Sequence, residues 1–410
     1  MPALRRTALV MAGLVLLSFN LRPAAVSVGP VLEEVRDGLG LTAAQAGLLT
    51  SLPVLAFAVF GALAPTFARA VGLHRALALS LAAVVVGLAG RATAHDSTVF
   101  LALSAFALAG MATANVLIPS LVKLHFPDRI GRATAIYTTA LAIGLTSAFL
   151  LTVPISESVD SWRAGLGVWA LLALVAVLPW LGLLGHDRHL ETGARSISFA
   201  DVGRTRIGWA MALFFGLQSL QAYSIFGWFA QLWRDSGYPA EQAGLLVAIV
   251  AGVSIPLSLW LPSAAARRQD QRGLILAVLS CYLLGYGLLL VDAHTWAIPA
   301  ALLVGVGGCV FPVVLTLIGL RAHTPDGTAA LSGFTQSLGY LVAAIGPFAI
   351  GVVYDATGGW TAPLWLLMVL VVPLLAVGAY AGRPAYLENQ LEHRSGSRDA
   401  SSTDGVDRAR

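Results

Sequence analysis

The sequence predicts an all-α membrane protein whose twelve helices form two six-helix pseudo-repeats. Of its 410 residues, 57% are hydrophobic and 11% are charged, and the mean hydropathy is +0.79. A soluble protein of this size is far less apolar. The charges cluster between uncharged stretches of about 20 residues, the length that a helix needs to cross a bilayer. These stretches do not alternate, so they do not predict the strands of a β-barrel.

The apolar runs between charges predict spans at residues 7–30, 43–66, 74–92, 98–122, 133–154, 163–184, 207–231, 242–262, 272–291, 295–320, 329–353 and 360–381. Twelve spans place both termini on the same side of the membrane. Of the 25 lysines and arginines, twenty lie on that side; the opposite side carries only Arg36, Arg91, Arg163 and Arg234. The positive-inside rule therefore predicts a multi-pass protein of the inner (cell) membrane with both termini in the cytoplasm.

An internal repeat supports the two halves independently of hydropathy. Segments recur at an almost fixed offset: Arg36-Asp37 as Arg234-Asp235, Pro127-Asp128 as Pro325-Asp326, and residues 45–49 as residues 242–246. The predicted organisation is a six-helix half at residues 1–184, a polar and basic cytoplasmic linker at 185–206, a second half at 207–382, and a disordered cytoplasmic tail at 383–410.

Arg22 is the one ionisable side chain that the predicted spans place near the middle of the membrane. Acidic residues and histidines fall in loops, at span ends or in the tail. A charge at that depth costs several kcal/mol and therefore indicates a purpose. An anionic or strongly dipolar substrate is its natural counterpart. The alternative is a structural arginine bonded to helix-end carbonyls or amides.

The neighbours of Arg22 strengthen the prediction of a binding site. Pro23 has no N–H for the carbonyl of Phe19, so we expect a kink and a free acceptor close to Arg22 and Asn20. The repeat places Gln218 opposite Asn20, and Gln221 shares a helical face with Gln218. Packing between helices is the alternative role for these glutamines.

Further polar and aromatic residues inside the predicted spans complete the candidate set. The substrate-binding candidates are Asn20, Arg22, Asn115, Tyr137, Gln218, Gln221 and Gln336. The candidate apolar walls are Phe57, Phe226, Trp228, Phe311 and Phe334. The prolines that permit bending are Pro53, Pro119, Pro256, Pro312 and Pro347.

The first helix carries the most specific resemblance to a known family. Asn20-Leu21-Arg22-Pro23, Val28-Gly29-Pro30, residues 46–50, Leu52-Pro53 and residues 216–221 resemble the cyanate and nitroimidazole transporter family of the major facilitator superfamily. The resemblance implies the major facilitator fold, a monomer, and alternating access for a small polar or anionic solute. It also makes Asn20, Arg22, Gln218 and Gln221 the preferred site residues.

The loop between spans two and three departs from the superfamily pattern, which usually places an Asp there. Here the loop carries Arg69 and Arg75 and no acidic residue. These arginines are the candidate gating residues of the cytoplasmic loops; capping of helix ends is their alternative role.

An enzyme is not predicted, because the sequence lacks paired catalytic groups, a metal-ligand cluster and a phosphate-binding loop. No cofactor or metal is therefore expected. The expected partners are a small-molecule or anion substrate and the lipid bilayer, without nucleic acid. A broad-specificity drug or metabolite exporter, in which Arg22 is structural, remains the alternative function.

Overall fold

The computed structural model describes residues 3–183 and 197–392. The α-helices of this part of the chain are α1 (Ala3–Val26), α2 (Leu32–Leu39), α3 (Ala43–Val71), α4 (Leu73–Thr93), α5 (Ser97–His125), α6 (Ile130–Ser158), α7 (Trp162–Leu181), α8 (Phe199–Gly203), α9 (Arg206–Asp235), α10 (Ala240–Gly252), α11 (Ser254–Ala266), α12 (Arg272–Asp292), α13 (Ala297–Gly308), α14 (Val310–Leu320), α15 (Pro325–Thr357) and α16 (Thr361–Ala381). Short 3₁₀ turns precede α2 and α6. The all-helical prediction is confirmed.

The described chain contains ten helical stretches that are long and apolar enough to cross a bilayer. Helix α1 adds the shorter apolar stretch Thr7–Pro23. Helix α9 has 30 residues, or about 45 Å, and is therefore long enough to cross a bilayer. It is more polar than these ten apolar stretches. We call α1–α7 the N-terminal half and α9–α16 the C-terminal half.

One end of the bundle holds the beginning of α1 and the end of α16, and we call it the terminal face. Gln271, just before α12, donates its N–H to the carbonyl of Gly382, just after α16, at 3.0 Å. Arg69, near the end of α3, approaches Asp326 in the first turn of α15. The other end of the bundle is the opposite face.

Spans eight and ten are broken helices, whereas the sequence predicted continuous spans at 242–262 and 295–320. Span eight breaks at Val253, between α10 and α11, and span ten breaks at Cys309, between α13 and α14. A proline follows each break by three residues and cannot donate to the carbonyl four residues back. Pro312 thus frees the carbonyl of Gly308, which accepts a hydrogen bond from Gln218 Nε2 at 3.3 Å.

Pro23 lies in the last turn of α1, and the helix runs through it to Val26. The carbonyl of Phe19, which Pro23 leaves without an N–H donor, faces α6. A Cβ added at Gly144 would collide with that carbonyl oxygen. The backbones of α1 and α6 therefore touch at the turn that carries Arg22. The expected free acceptor is covered by α6, not open to a substrate.

The beginning of the predicted disordered tail is folded, which differs from the expectation for residues 383–410. Residues 387–392 are helical, and Leu387 is buried. The carboxylate of Glu388 accepts hydrogen bonds from the N–H groups of His323 at 2.9 Å and Thr324 at 3.2 Å. Residues 393–410, and residues 184–196 around the predicted linker, lie outside the described part of the chain.

The contact between α1 and α6 generates a stability prediction. We expect Gly144→Ala to destabilise the protein by about 1–3 kcal/mol, because a methyl group would collide with the backbone of Phe19. Gly227→Ala is the matched control, since a Cβ there has no neighbour within 4 Å. The measurement is thermal unfolding in detergent. Equal melting temperatures for the two variants would contradict the close backbone contact.

Candidate functional site

Arg22 of the N-terminal half faces three helices of the C-terminal half. Its guanidinium carbon lies 5.7 Å from the centre of the Phe311 ring on α14. It also interacts electrostatically with Tyr223 on α9 and with Tyr340 on α15. Arg22 is partly exposed. The side chain that the sequence placed in the middle of the membrane therefore lies at the interface between the halves.

Aromatic rings from both halves form a connected group beside Arg22. We call Phe57, Phe215, Tyr223, Phe311 and Tyr340 the aromatic cluster. The Tyr340 ring stacks on Phe57 at 4.0 Å and meets the edge of Phe215 at 5.0 Å. Phe215 in turn lies 5.7 Å from Phe311. Rings at these distances form a continuous apolar wall with two hydroxyl groups.

Three of the aromatic residues proposed from the sequence lie away from this cluster. Phe334 packs against Phe199 and Trp209 at the terminal face. Trp228 lies beside Tyr354 and Trp360 at the opposite face. Phe226 is exposed. Of that set, Phe311 lies beside Arg22, and Phe57 joins the aromatic cluster through its stacking on Tyr340.

Tyr223 marks an opening beside Arg22. Its side chain is 39% exposed, although it interacts with Arg22 of the other half and its ring lies 6.4 Å from the Tyr340 ring. A side chain that lies between the halves and is still accessible borders an open space between them. Arg22 and the hydroxyl group of Tyr223 therefore line a space that water or a solute can enter.

None of the ion pairs recorded between described residues involves Arg22. The ion pairs recorded between described residues join Arg69 to Asp326, Arg204 to Asp201 and Arg272 to Asp270, all near the terminal face. Two residues before Arg22, Asn20 donates from Nδ2 to the carbonyl of Leu16 at 2.8 Å, and its Oδ1 is buried without a partner. Among the described residues, the groups recorded beside the charge of Arg22 are therefore hydroxyl groups and ring faces.

Asn115 and Gln336 bind each other directly below the aromatic cluster. Asn115 Nδ2 donates to Gln336 Oε1 at 2.7 Å, which joins α5 of one half to α15 of the other. Gln336 Nε2 donates to Ser332 Oγ at 2.9 Å. Because Gln336 lies one helical turn before Tyr340, the pair is on the terminal side of the cluster. These two candidate residues form the floor of the site.

The other candidate residues have different surroundings. Gln221 donates from Nε2 to the carbonyl of Leu367 at 2.9 Å and accepts from the hydroxyl group of Tyr286 at 2.6 Å. Both ends of its amide are therefore used inside the C-terminal half. Gln218 binds the broken span ten. Tyr137 is buried on α6, and its hydroxyl group has no hydrogen-bond partner in the described chain.

Polar contacts join the halves from the floor of the site to the terminal face. Ser337 Oγ donates to the carbonyl of Phe57 at 3.2 Å, and Ser120 Oγ donates to the carbonyl of Pro325 at 2.6 Å. At the face itself, Arg69 Nη1 lies 3.5 Å from Asp326 Oδ1. Among the described residues, the side-chain hydrogen bonds between the halves all lie on this side of Arg22.

Glycines let the helices of the two halves pack closely between the floor of the site and the terminal face. A Cβ at Gly333 on α15 would lie 2.9 Å from Pro65 and 3.1 Å from the carbonyl of Gly61 on α3. A Cβ at Gly131 on α6 would lie 2.6 Å from the carbonyl of Pro262 on α11. Helices in such contact leave no passage between them. The cavity at Arg22 is therefore closed toward the terminal face.

The linker and the folded part of the tail reinforce this closure. Ile197 accepts from Arg69 at 3.2 Å and donates its N–H to Asp326 at 3.1 Å. Glu388, at the N-terminus of α15, interacts electrostatically with Lys123 at the end of α5. Ile197 and Glu388 thus each interact with the N-terminal half and with the C-terminal half. Arg75 lies exposed in the first turn of α4.

Sequence reasoning missed the partner of Arg69 and two buried arginines. Asp326 belongs to the Pro-Asp pair that repeats between the halves, and this signal could have identified it. The predicted spans place Arg91 and Arg321 at span ends, where a charge is expected to be exposed, yet they are 1% and 2% exposed. Arg91 donates to Ser27 Oγ at 2.7 Å, and Arg321 donates to the carbonyl of Ala381 at 2.9 Å. Both side chains bind near helix ends.

Comparisons with known proteins agree with this architecture. The family model described as Major Facilitator Superfamily matches residues 8–347. The chain is 33% identical to the 2-nitroimidazole transporter of Escherichia coli (strain K12), over 91% of this chain and 95% of that protein. It is 27% identical to the cyanate transport protein CynX of the same organism, over 85% and 90%. An uncharacterized transporter of Bacillus subtilis (strain 168), YycB, is 35% identical over 94% and 96%.

Solved structures show the same fold at low sequence identity. The transporter FucP in its outward conformation superposes with a TM-score of 0.74 at 14% identity, covering 91% of this chain and 98% of that chain. The xylose symporter XylE superposes with a TM-score of 0.71 at 15% identity, covering 95% and 98%.

The contact between Arg69 and Asp326 generates a prediction about access from the terminal face. In a protein that carries Cys281→Ser, Cys309→Ala and Ser120→Cys, we expect the new cysteine to react slowly with a maleimide from that side. Arg69→Gln should speed the reaction severalfold, because it removes an ion pair that holds the halves together.

Arg132→Gln is the control, because it removes an exposed positive charge from the same face. It should leave the labelling rate unchanged. Equal rates in the Arg69 and Arg132 variants would show that the ion pair does not hold the terminal face closed.

Proposed function

The chain belongs to the major facilitator superfamily, and on that premise we propose that it carries a small polar or anionic solute across the cell membrane by alternating access. The observation that carries the proposal is the position of Arg22. Its guanidinium lies between the halves, beside a cavity, with no carboxylate partner among the described residues. A negatively charged or strongly dipolar solute would supply the missing counterpart.

The chemistry around Arg22 favours a small planar solute. A guanidinium binds planar oxyanions and nitro groups through paired N–H donors. The aromatic cluster offers ring faces on which a flat solute can stack. Nitrate-like and nitroimidazole-like solutes combine these properties, whereas a cyanate-like solute is a small linear anion that would use the charge of the guanidinium. Two relatives are named for cyanate and 2-nitroimidazole. Arg22 would hold the negative end, and Tyr223 and Tyr340 would orient the solute.

The remaining candidates would have supporting roles. Asn20 and Tyr137 each keep a buried polar atom without a partner, so either could bind the solute directly. Asn115 and Gln336 would separate the solute from the terminal face until their mutual hydrogen bond breaks. Gln218 and Gln221 would hold the C-terminal half around the site through packing.

The proposed cycle begins with the site open to the opposite face. Binding of an anion neutralises Arg22, which lowers the cost of closing the apolar walls around it. The terminal face then opens by breaking the Arg69–Asp326 pair. Both side chains are about a quarter exposed, so the pair contributes no more than about 1 kcal/mol and can break in each cycle. Because the proposed site has no Asp, Glu or His, uniport or exchange fits it at least as well as proton symport.

Counterflow into proteoliposomes tests the proposed function. We expect labelled cyanate to accumulate against a preloaded pool, with competition by nitrate, nitrite, bicarbonate or 2-nitroimidazole. Arg22→Ala should abolish this uptake, because the anion loses the guanidinium that is proposed to hold its negative end. Arg234→Ala, which removes an exposed charge from the opposite face, should retain it.

The outcomes separate the two candidate functions. Loss of counterflow only in the Arg22 variant supports an anion or polar-solute transporter. Equal counterflow in both variants would make Arg22 structural. Transport of many lipophilic compounds by both variants would identify a broad-specificity exporter.

The orientation of the bundle is a separate prediction. We propose that the terminal face is cytoplasmic, because most lysines and arginines lie there. A fluorescent protein fused after Arg410 should fluoresce, and alkaline phosphatase at that position should be inactive. Alkaline phosphatase inserted after Ser236, at the opposite face, should be active. The reverse pattern would contradict the proposed orientation.

A further inference from the structure

A groove of about 740 Å³ lies at the terminal face, where α9 begins and α16 ends. Its lining combines positive charge, aromatic rings and aliphatic side chains. The residues that matter here are Arg204, Arg206, Trp209, Leu213, Val377 and Tyr380. The groove is on the outside of the bundle, because Trp209 is 49% exposed and Leu213 is 36% exposed. It is therefore separate from the cavity at Arg22.

The polar end of the groove has an excess of positive charge. Arg206 is exposed and forms no recorded ion pair with a described residue. Arg204 lies 3.3 Å from Asp201, and its side chain is 56% exposed. The guanidinium of Arg383 lies 5.8 Å from the centre of the Tyr380 ring. Arg204 and Arg206 thus line the groove and Arg383 lies beside its Tyr380, while Asp201 is the carboxylate recorded in an ion pair with them among the described residues.

The position of the groove matches the boundary between hydrocarbon and lipid headgroups. Helix α16 has 21 residues, or about 31 Å, which is close to the thickness of the hydrocarbon layer. Tyr380, next to its last residue, is therefore at the boundary. Trp209 is in the first turn of α9, and its Nε1 donates to the carbonyl of Gly203 at 2.8 Å. Tryptophan and tyrosine are enriched at this depth.

A second groove of about 430 Å³ repeats the same combination on α11. Its lining includes Leu259, Trp260, Arg267 and Arg268. Trp260 and Leu259 are both more than half exposed. The two arginines follow the end of α11 on the terminal face. Two separate grooves therefore join an exposed tryptophan and aliphatic wall to a pair of arginines.

We propose that these grooves bind anionic glycerophospholipids of the leaflet at the terminal face. The lipid phosphate would contact Arg206 and Arg383, and one acyl chain would lie along Leu213 and Val377. Basic pockets at this depth favour anionic headgroups. A free phosphate ion would use the arginines but would leave the exposed aliphatic wall uncovered. The combination of charge and apolar wall therefore fits a lipid better than a soluble anion.

Native mass spectrometry of the delipidated full-length protein tests the proposal. The probes are phosphatidylglycerol and phosphatidylcholine with identical acyl chains. The wild type should bind phosphatidylglycerol more tightly. Arg206→Gln combined with Arg383→Gln should weaken this binding by roughly 30-fold at the larger groove, since each arginine near the headgroups contributes about fivefold and the two effects multiply. Binding of phosphatidylcholine should not change.

Arg36→Gln combined with Arg234→Gln is the matched control, because it removes two exposed charges from the opposite face. It should keep the preference for phosphatidylglycerol. Equal affinity of the wild type for both lipids would overturn the proposal, as would equal losses in the two double variants. Complete displacement of the lipid by millimolar inorganic phosphate would also overturn it and would indicate a site for a soluble anion. Melting temperatures of the delipidated variants confirm that each is folded.

Discussion

A guanidinium in the middle of a membrane protein costs several kcal/mol unless something balances its charge. In the described chain, Arg22 is balanced by the hydroxyl groups and ring faces of the aromatic cluster, without a carboxylate. The need to balance this charge explains the residues found at the interface between the halves. Rings from α3, α9, α14 and α15 shield the charge, and the cavity beside Tyr223 keeps it in contact with solvent. The same arrangement leaves a place for an anion.

Prolines determine how the helices around this site are joined. Each proline in a span leaves one carbonyl without its helical donor, and that carbonyl needs another partner in the membrane. The carbonyl freed by Pro23 lies against Gly144, which lets α1 and α6 touch. The carbonyl freed by Pro312 accepts from Gln218. Proline, glycine and glutamine thus hold each half together as a unit. The side-chain hydrogen bonds recorded between the halves are few, and the partly exposed Arg69–Asp326 pair adds little to them.

Hydropathy and the repeat were sufficient to predict the fold, because every span must form its backbone hydrogen bonds within its own helix in the bilayer. Arg22 could be identified because a charge in the middle of a bilayer is costly and therefore rare. The sequence did not predict the breaks at Val253 and Cys309, since a proline can bend a helix or interrupt it. It also did not show that Gln221 binds α12 and α16, or that Arg69 meets Asp326. These pairings join residues that are distant along the chain, and only the packing of the helices brings them together.

Isothermal titration of purified protein with cyanate, nitrate and 2-nitroimidazole tests the role of Arg22 most directly, because it requires no transport cycle. We predict saturable binding of at least one of these solutes with one site per chain. Arg22→Gln should lose this binding, and Arg22→Lys should weaken it, because a lysine keeps the charge but not the planar pair of donors. Arg132→Gln should bind as the wild type does. Equal affinity in the wild type and in Arg22→Gln would contradict the account.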